Sequence, residues 1–420
     1  MASSAPPRPP AEGAAPAAGA AARNLWLVPL YQAAAFGYAV IPFLWFLVSA
    51  RGFDLKEYAS LQSVYYCATL VAEVPTGLLA DRLGRKVVLI LAVISQAAGF
   101  VAFANARDFA AFACAQILLG LGQAMLSGTT AAILYDSLLA LGREREYLRF
   151  ETRATISRLC GSSFAFLVGG WLGATFGMEA TAWASAGFSC VALPLAIAIA
   201  EPPRSGDSHS GASVFALLRA SVRDLWSRTD LRWVAAVFAL LFVELRMAFH
   251  LYTPGLERAG LTAPLAVGTI YALLNVVAAV STRFAPRLAE SFGEGGLLIL
   301  LSLVLAASFA GLGFSTAVGS VLGWFVLQQV PFGVHFPVVA SFVNHRVPSS
   351  RRATTLSCLS LLGRASFASA FPIVGAVADT AGLARTLLGI AVAFLVATIA
   401  LGFVGRQVNS LSDGTSFPAP

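Results

Sequence analysis

Several ionisable side chains lie deep within long apolar stretches, among them Glu73, Arg158, Glu244, Arg246, His250 and Arg364. A charge kept in such surroundings is costly, so it persists where it binds an ion, carries a proton or meets a partner. Glu73 lies eight residues before Asp81, ~12 Å of helix rise from the charged turn that follows. Arg364 lies eleven residues after Ala353, ~16 Å along its own helix. Glu244 is thirteen residues beyond Leu231, ~20 Å in, near or just beyond the middle of a bilayer. Glu244 and Arg246 point about 200° apart on a helix and cannot both face one cavity squarely. Glu244 and His250 share a broad face. Glu244 is therefore a candidate substrate or proton site, with local charge neutralisation as the alternative, and His250 reads as a polar residue at the outer boundary. Arg158 could bind an anionic substrate, pair with a nearby acid or snorkel to headgroups.

Enzyme chemistry has little footing. His209, His250, His335 and His345 show no HExxH spacing, and the chain holds neither GxxxxGK[ST] nor GxSxG. No cofactor is expected. Neutral polar residues recur inside the apolar stretches: Gln32, Gln116, Gln123, Asn275, Gln328 and Gln329. They could line a cavity together with Tyr31, Phe36, Tyr38 and Trp324, or hydrogen-bond between helices.

The elements that must position these groups are membrane spans. Hydrophobic residues make up 58% of the chain and charged residues 12%, with a mean hydropathy of +0.76, whereas about a quarter of a soluble domain is charged. Apolar stretches near 26–50, 58–80, 87–105, 110–140, 154–176, 180–200, 231–253, 264–285, 296–315, 317–343, 353–378 and 382–405 each reach the ~20 residues a crossing helix needs. Of the 28 Lys and Arg residues, only Arg51, Lys56, Arg107, Arg258 and Arg385 fall in loops on one side, and Arg158, Arg246 and Arg364 fall within spans. The remainder lie on the other side, which the positive-inside rule assigns to the cytoplasm together with both termini. The net charge of +7 thus reflects topology, and no nucleic-acid partner is expected.

Residues 1–23, rich in Ala and Pro, read as a disordered cytoplasmic tail, and 406–420 as a second tail. The polar interval 201–230 separates a bundle at 24–200 from one at 231–405. Within it, Val214, Leu217, Leu218, Leu225 and Trp226 recur at helical spacing opposite Arg219 and Arg223, predicting an amphipathic helix on the inner leaflet. Cys67, Cys114, Cys160, Cys190 and Cys358 all fall inside spans, where packing as small apolar residues is expected over disulfides.

The turn after the second span, Gly77 to Lys86, reads GLLADRLGRK. Asp81 can cap a neighbouring helix, Gly84 permits a tight turn, and Arg82, Arg85 and Lys86 hold the turn on the cytoplasmic face. The pattern Gly-x-x-x-Asp-Arg-x-Gly-Arg-Lys between two spans resembles the loop after the second span of major facilitator superfamily transporters. Glu73-Val74-Pro75-Thr76-Gly77, Leu134 to Leu138 and Arg352 to Ser357 are similar to a bacterial branch of undefined substrate. Arg153-Ala154-Thr155 and Arg352-Ala353-Thr354 open spans 5 and 11, followed by Ser163-Phe164-Ala165 and Ser366-Phe367-Ala368, a faint repeat between halves. The charged turn is not repeated cleanly, since Pro286 and Arg287 stand near where the Asp-Arg pair would fall. The span 4 pattern of drug-proton antiporters is altered, with Gln116 at its Arg position. Their span 5 signature is half present as Gly161, Gly169 and Gly170, with Ala165 and Phe166 replacing the Gly-Pro pair.

The resemblance implies an all-α membrane protein of twelve helices, in two six-helix bundles related by a pseudo-twofold, with spans 1, 4, 7 and 10 around a central cavity. It further implies that Asp136 pairs with Arg85 while Asp81 faces the start of span 11, latching the cytoplasmic side. Span 2 would pack beside span 11. A Glu73 to Arg364 pair would then cross between the halves, either as a switch released when Glu73 takes a proton or as a permanent bridge. The expected function is secondary transport by alternating access in the cell membrane, by a monomer that exports a small amphipathic molecule coupled to protons. Uptake or facilitated diffusion of a polar metabolite is the alternative in the same fold, and a transport-inactive sensor or assembly partner the alternative outside it.

Overall fold

The structure is a computed structural model that describes residues 14–202, 219, 222–223 and 225–412. In hydrocarbon each backbone N–H and C=O needs a partner within the chain, and helices supply one locally. The first half comprises α1 (Ala14–Ala35), α2 (Leu44–Ser49), α3 (Leu55–Leu83), α4 (Arg85–Asn105), α5 (Phe109–Leu126), α6 (Thr129–Ala140), α7 (Tyr147–Phe176) and α8 (Glu179–Ala198). The second comprises α9 (Thr229–Arg258), α10 (Pro264–Thr282), the short α11 (Ala285–Phe292), α12 (Glu294–Phe314), α13 (Val318–Arg346), α14 (Ser349–Ala381) and α15 (Leu383–Ser412).

Eleven of the described segments are long and apolar enough to cross a membrane, α5 and α6 together forming one of them. The first expected span is not among the eleven because it is broken: α1 stops at Ala35, a 3-10 turn runs from Ile41 to Phe43, and α2 resumes at Leu44. Span 4 is also interrupted, between α5 and α6, at Ser127 and at Gly128, whose φ of 72° favours glycine.

Several boundaries differ from those read in the sequence. Helix α1 begins at Ala14, so residues 14–23 are helical and the expected tail is shorter. Ala is the best helix former, and five of the seven residues from Ala14 to Ala20 are Ala. At the other end α15 runs to Ser412, past the expected limit of 405. Residues 1–13 and most of the linker, including Val214, Leu217 and Leu218, lie outside the described residues. The five cysteines are unpaired, and Cys67, Cys114, Cys160 and Cys190 are exposed on the bundle.

The halves meet where α3 packs on α14 and α7 packs on α10. These two contacts are equivalents under exchange of the halves, as spans 2 with 11 and 8 with 5. Small residues permit close approach: a Cβ on Gly268 would stand 2.4 Å from the Phe166 carbonyl oxygen, and one on Gly375 would stand 2.6 Å from the Lys56 Cα. Loss of either glycine would push helices of opposite halves apart.

Candidate functional site

The end of the bundle that bears the turn between α3 and α4, expected on the cytoplasmic side, is called inner, and the opposite end outer. Helix α3 starts at the outer end with a capping box, in which the Asp54 carboxylate accepts from the Glu57 N–H and the Glu57 carboxylate from the Asp54 N–H. The N–H groups of Leu55 and Lys56, also unpaired within a helix start, donate to the Asp379 carboxylate of α14 at 3.0 and 2.8 Å. Thr253 donates to the Pro42 carbonyl at 3.0 Å, and Trp45 donates to Glu257. Beneath these lies an aromatic plug. Tyr58 meets His250 at 3.3 Å, Tyr66 contacts Phe367 with centroids 4.7 Å apart, and His250 stacks on Phe367. The Tyr58 and Tyr66 contacts join the first half to the second, and the stack of His250 on Phe367 ties α9 to α14 behind them. The outer end is sealed, and His250 belongs to that seal.

Further inward, Glu73 and Arg364 form an ion pair between α3 and α14, with 19% and 15% of their side chains exposed. Arg364 Nη1 donates to Glu73 Oε2, while Ser127 Oγ donates to Oε1 at 3.1 Å. Ser127 reaches the carboxylate because span 4 breaks there. This partner was not anticipated from the sequence, although the adjacent Ser127-Gly128 pair is a turn signal.

The charged turn is organised differently from the expected latch. Arg85 does pair with Asp136, which ties α4 to α6 within one half rather than joining the halves. Gly84 adopts a φ of 97°, a conformation that disfavours any Cβ. The start of α4 is held by Glu201, whose carboxylate accepts from the Arg85 and Lys86 N–H groups at 2.9 and 2.7 Å. Glu201 read as the opening of the linker; its role required the end of α8 to return beside α4. Asp81 caps no helix. It is exposed and has no side-chain partner among the described residues, as has Arg82. Arg143 instead pairs with Glu146 in the loop before α7.

Glu244 does not reach the space between the halves. It is fully buried, and Ser302 Oγ of α12 donates to its Oε1 at 2.7 Å while Oε2 has no partner. Ser302 in turn meets Thr398 of α15 at 2.6 Å, and Thr398 lines a groove of about 410 Å³ between α12 and α15 with Ile299, Leu303 and Phe403. Glu244 thus points to the flank of its own half, and it does not share an environment with His250. The residue of α9 that faces inward is Arg246. Between Leu241 and Pro254 of this helix only Arg246 and Phe249 keep partial exposure, three residues apart, which places them on one face.

Arg246 packs over the rings of Phe242 and Phe332, at 5.2 and 5.9 Å from their centroids. From the opposite half, Arg158 packs over Phe36 at 5.4 Å. Neither guanidinium makes an ion pair or hydrogen bond among the described residues. Tyr38, whose ring meets that of Phe36, accepts from Gln96 and donates to Gln123 at 3.5 Å, and Asn275 donates to Ser163 across the halves at 3.5 Å. Asn275 therefore borders the interface, while Gln123 is engaged by Tyr38 within its own half. The other amides are directed elsewhere. Gln32 donates to Thr130, Gln328 to Ser308 and Gln329 to Tyr252, at 3.0, 2.8 and 2.7 Å, each within one half. Gln116 is buried with its amide nitrogen unpartnered. Tyr31, fully buried, donates to the Leu89 carbonyl, and Trp324 donates to Ser315 near the outer end.

A family model for the Major Facilitator Superfamily matches residues 27–371. This chain belongs to the Major Facilitator Superfamily. No curated protein matches its sequence. Among solved structures, this superfamily member is 14% identical to a variant of the nucleoside transporter NupG, covering 91% of this chain and 99% of that one with a TM-score of 0.79. A bacterial homolog of the human lysosomal transporter Spinster, in an inward-facing and unoccupied conformation, is 14% identical with coverages of 97% and 100% and a TM-score of 0.72. A peptide transporter POT in complex with sulfate is also 14% identical, with coverages of 93% and 95% and a TM-score of 0.70. Identity this low carries the fold alone. As a superfamily member the chain is a multi-pass transporter by family rather than an enzyme, and its all-α fold is that of the superfamily.

Proposed function

We propose that the protein is a secondary active transporter that alternates access to a central site and couples export of a small amphipathic molecule to entry of protons. The reading rests chiefly on the ion pair between Glu73 and Arg364, which joins helices of opposite halves and keeps partial exposure. Protonation of Glu73 would remove the attraction, leaving Arg364 to take a new position as the halves rock. With the outer end held by Asp379, Thr253 and the aromatic plug, the described conformation fits an inward-facing state. Asp81, unpartnered here, would then engage the start of α14 when the inner end closes, and Arg85 with Asp136 would keep the turn in position for that contact. Both termini would lie in the cytoplasm, as the distribution of cations favours.

The test measures access directly. In a background with the five cysteines replaced, spin labels at Leu83→Cys and Asn344→Cys would report the distance between halves at the inner end. Glu73→Gln, which mimics the protonated carboxyl, should shift the distance distribution, and wild-type protein should show a matching shift on acidification. Distributions that are unaffected by both the mutation and pH would exclude Glu73 as the coupling group.

A further inference from the structure

We infer that the central site takes an amphipathic organic anion, whose acidic group is gripped by Arg158 from one half and Arg246 from the other while its apolar body lies against the rings beside them. The argument starts from charge. Arg158, Arg246 and Arg364 all lie at the interface, and Glu73 neutralises Arg364 alone. The two remaining guanidinia are close enough to feel each other's charge, and each is packed on aromatic rings rather than on a carboxylate. The acid on the same face of α7, Glu151, lies two turns toward the inner end and makes no ion pair with Arg158, although the two attract each other at longer range. It is held beside Tyr147. Near Arg246 stand His250 in the outer plug and His335, whose Nδ1 is within 3.1 Å of the Pro331 carbonyl and 3.0 Å of that of Phe332. No carboxylate among the described residues pairs with Arg246.

Two like charges facing one poorly solvated interface from opposite sides repel, and an anion placed between them relieves that repulsion while gaining charge-assisted hydrogen bonds from planar donor groups. The ligand is more than a bare inorganic ion because of what surrounds the cations. Phe36, Tyr38, Phe242 and Phe332 present ring surfaces where a hydrated small anion would meet few polar partners. The halves contribute one guanidinium each, so a bound anion bridges them and would favour a conformation in which both approach it. A cationic amphipathic molecule would meet repulsion from both.

This inference rests on the transport reading for its biological meaning, but its test does not. The full-length protein, purified in detergent, would be titrated calorimetrically and by thermal shift with 2-naphthoate and 2-naphthyl phosphate. Neutral 2-naphthamide and cationic 2-naphthylmethylammonium would serve as shape-matched controls. Both anions should bind and raise the melting temperature, and the amide and ammonium should not. Arg158→Gln and Arg246→Gln should each weaken anion binding about tenfold or more, the loss expected for a charged hydrogen-bonding partner. Because Arg246→Gln removes one of two repelling charges and no carboxylate pairs with Arg246, it should not lower the melting temperature of the ligand-free protein. Arg246→Lys should retain part of the binding, and Glu244→Gln, remote from the site, all of it. Failure of both anions to bind, equal binding of the amide, or undiminished binding by both Gln variants would overturn the inference. A negative result would leave alternating access standing, whereas unresponsive spin-label distances with intact anion binding would remove the coupling mechanism alone.

Discussion

Glu73 accepts from Arg364 with one carboxylate oxygen and from Ser127 with the other, so a single side chain of α3 holds both the facing helix of the opposite half and the break in span 4 of its own. A double-mutant cycle measures the first of these links. Glu73→Gln strands a guanidinium in a largely apolar setting, and Arg364→Gln strands a carboxylate. The pair should show a coupling of about 1 kcal/mol or more in thermal stability, with the double mutant more stable than the sum of the single losses. Partial exposure keeps the value below the ~3 to 5 kcal/mol of a fully buried pair that loses one partner. Additive effects would mean that the two side chains act independently.

Glu244→Gln tests the assignment that the structure moved away from. The amide can still accept from Ser302, and no counter-ion among the described residues is left unpaired. Stability should therefore stay within about 1 kcal/mol of wild type or rise, as a buried charge without a partner costs more than a neutral amide. Gradient-driven flux in liposomes should keep its pH dependence. A flattened pH profile would return Glu244 to the proton path.

At the inner turn, Glu201→Ala removes both acceptors at the start of α4 and should cost about 1 kcal/mol, the usual loss for a helix cap. Gly84→Ala should cost a similar or larger amount, about 1 to 2 kcal/mol for a Cβ in a left-handed conformation. The added carbon would also approach the Glu201 carboxylate to 3.2 Å. Thermal denaturation of purified protein distinguishes these effects from loss of the Arg85 to Asp136 pair, which Asp136→Asn tests separately. Equal stability of Glu201→Ala and wild type would show that water replaces the cap.

At the outer end, Asp379→Ala deprives two backbone N–H groups of α3 of their acceptor. The outer seal should weaken by roughly 1.5 to 3 kcal/mol, the range for hydrogen bonds to a charged group. The population should shift toward outward access, seen, in a background with the five native cysteines replaced, as increased reaction of a cysteine introduced at the buried Gln62 with a membrane-impermeant thiol reagent. No change in labelling would mean that Thr253, Trp45 and the aromatic plug suffice to hold the closure.

The sequence by itself determined the class, the superfamily and most of the span positions, because bilayer thickness and backbone hydrogen bonding constrain these locally. The Gly77 to Lys86 turn was legible for the same reason, and so was the meeting of Glu73 with Arg364 once the superfamily arrangement of spans was granted. The exceptions were places where distant segments return to one another. Glu201 caps α4 only because α8 ends beside it. Ser127 meets Glu73 only because span 4 breaks opposite α3. Along α9, helical geometry established that Glu244 and Arg246 face different ways, yet not which of them faces the other half. Rotation of a helix about its axis is set by the surfaces packed around it, and here Ser302 and Thr398 of α12 and α15 take Glu244 to the flank. Tertiary packing thereby left Arg246, rather than the carboxylate two residues before it, turned toward the other half.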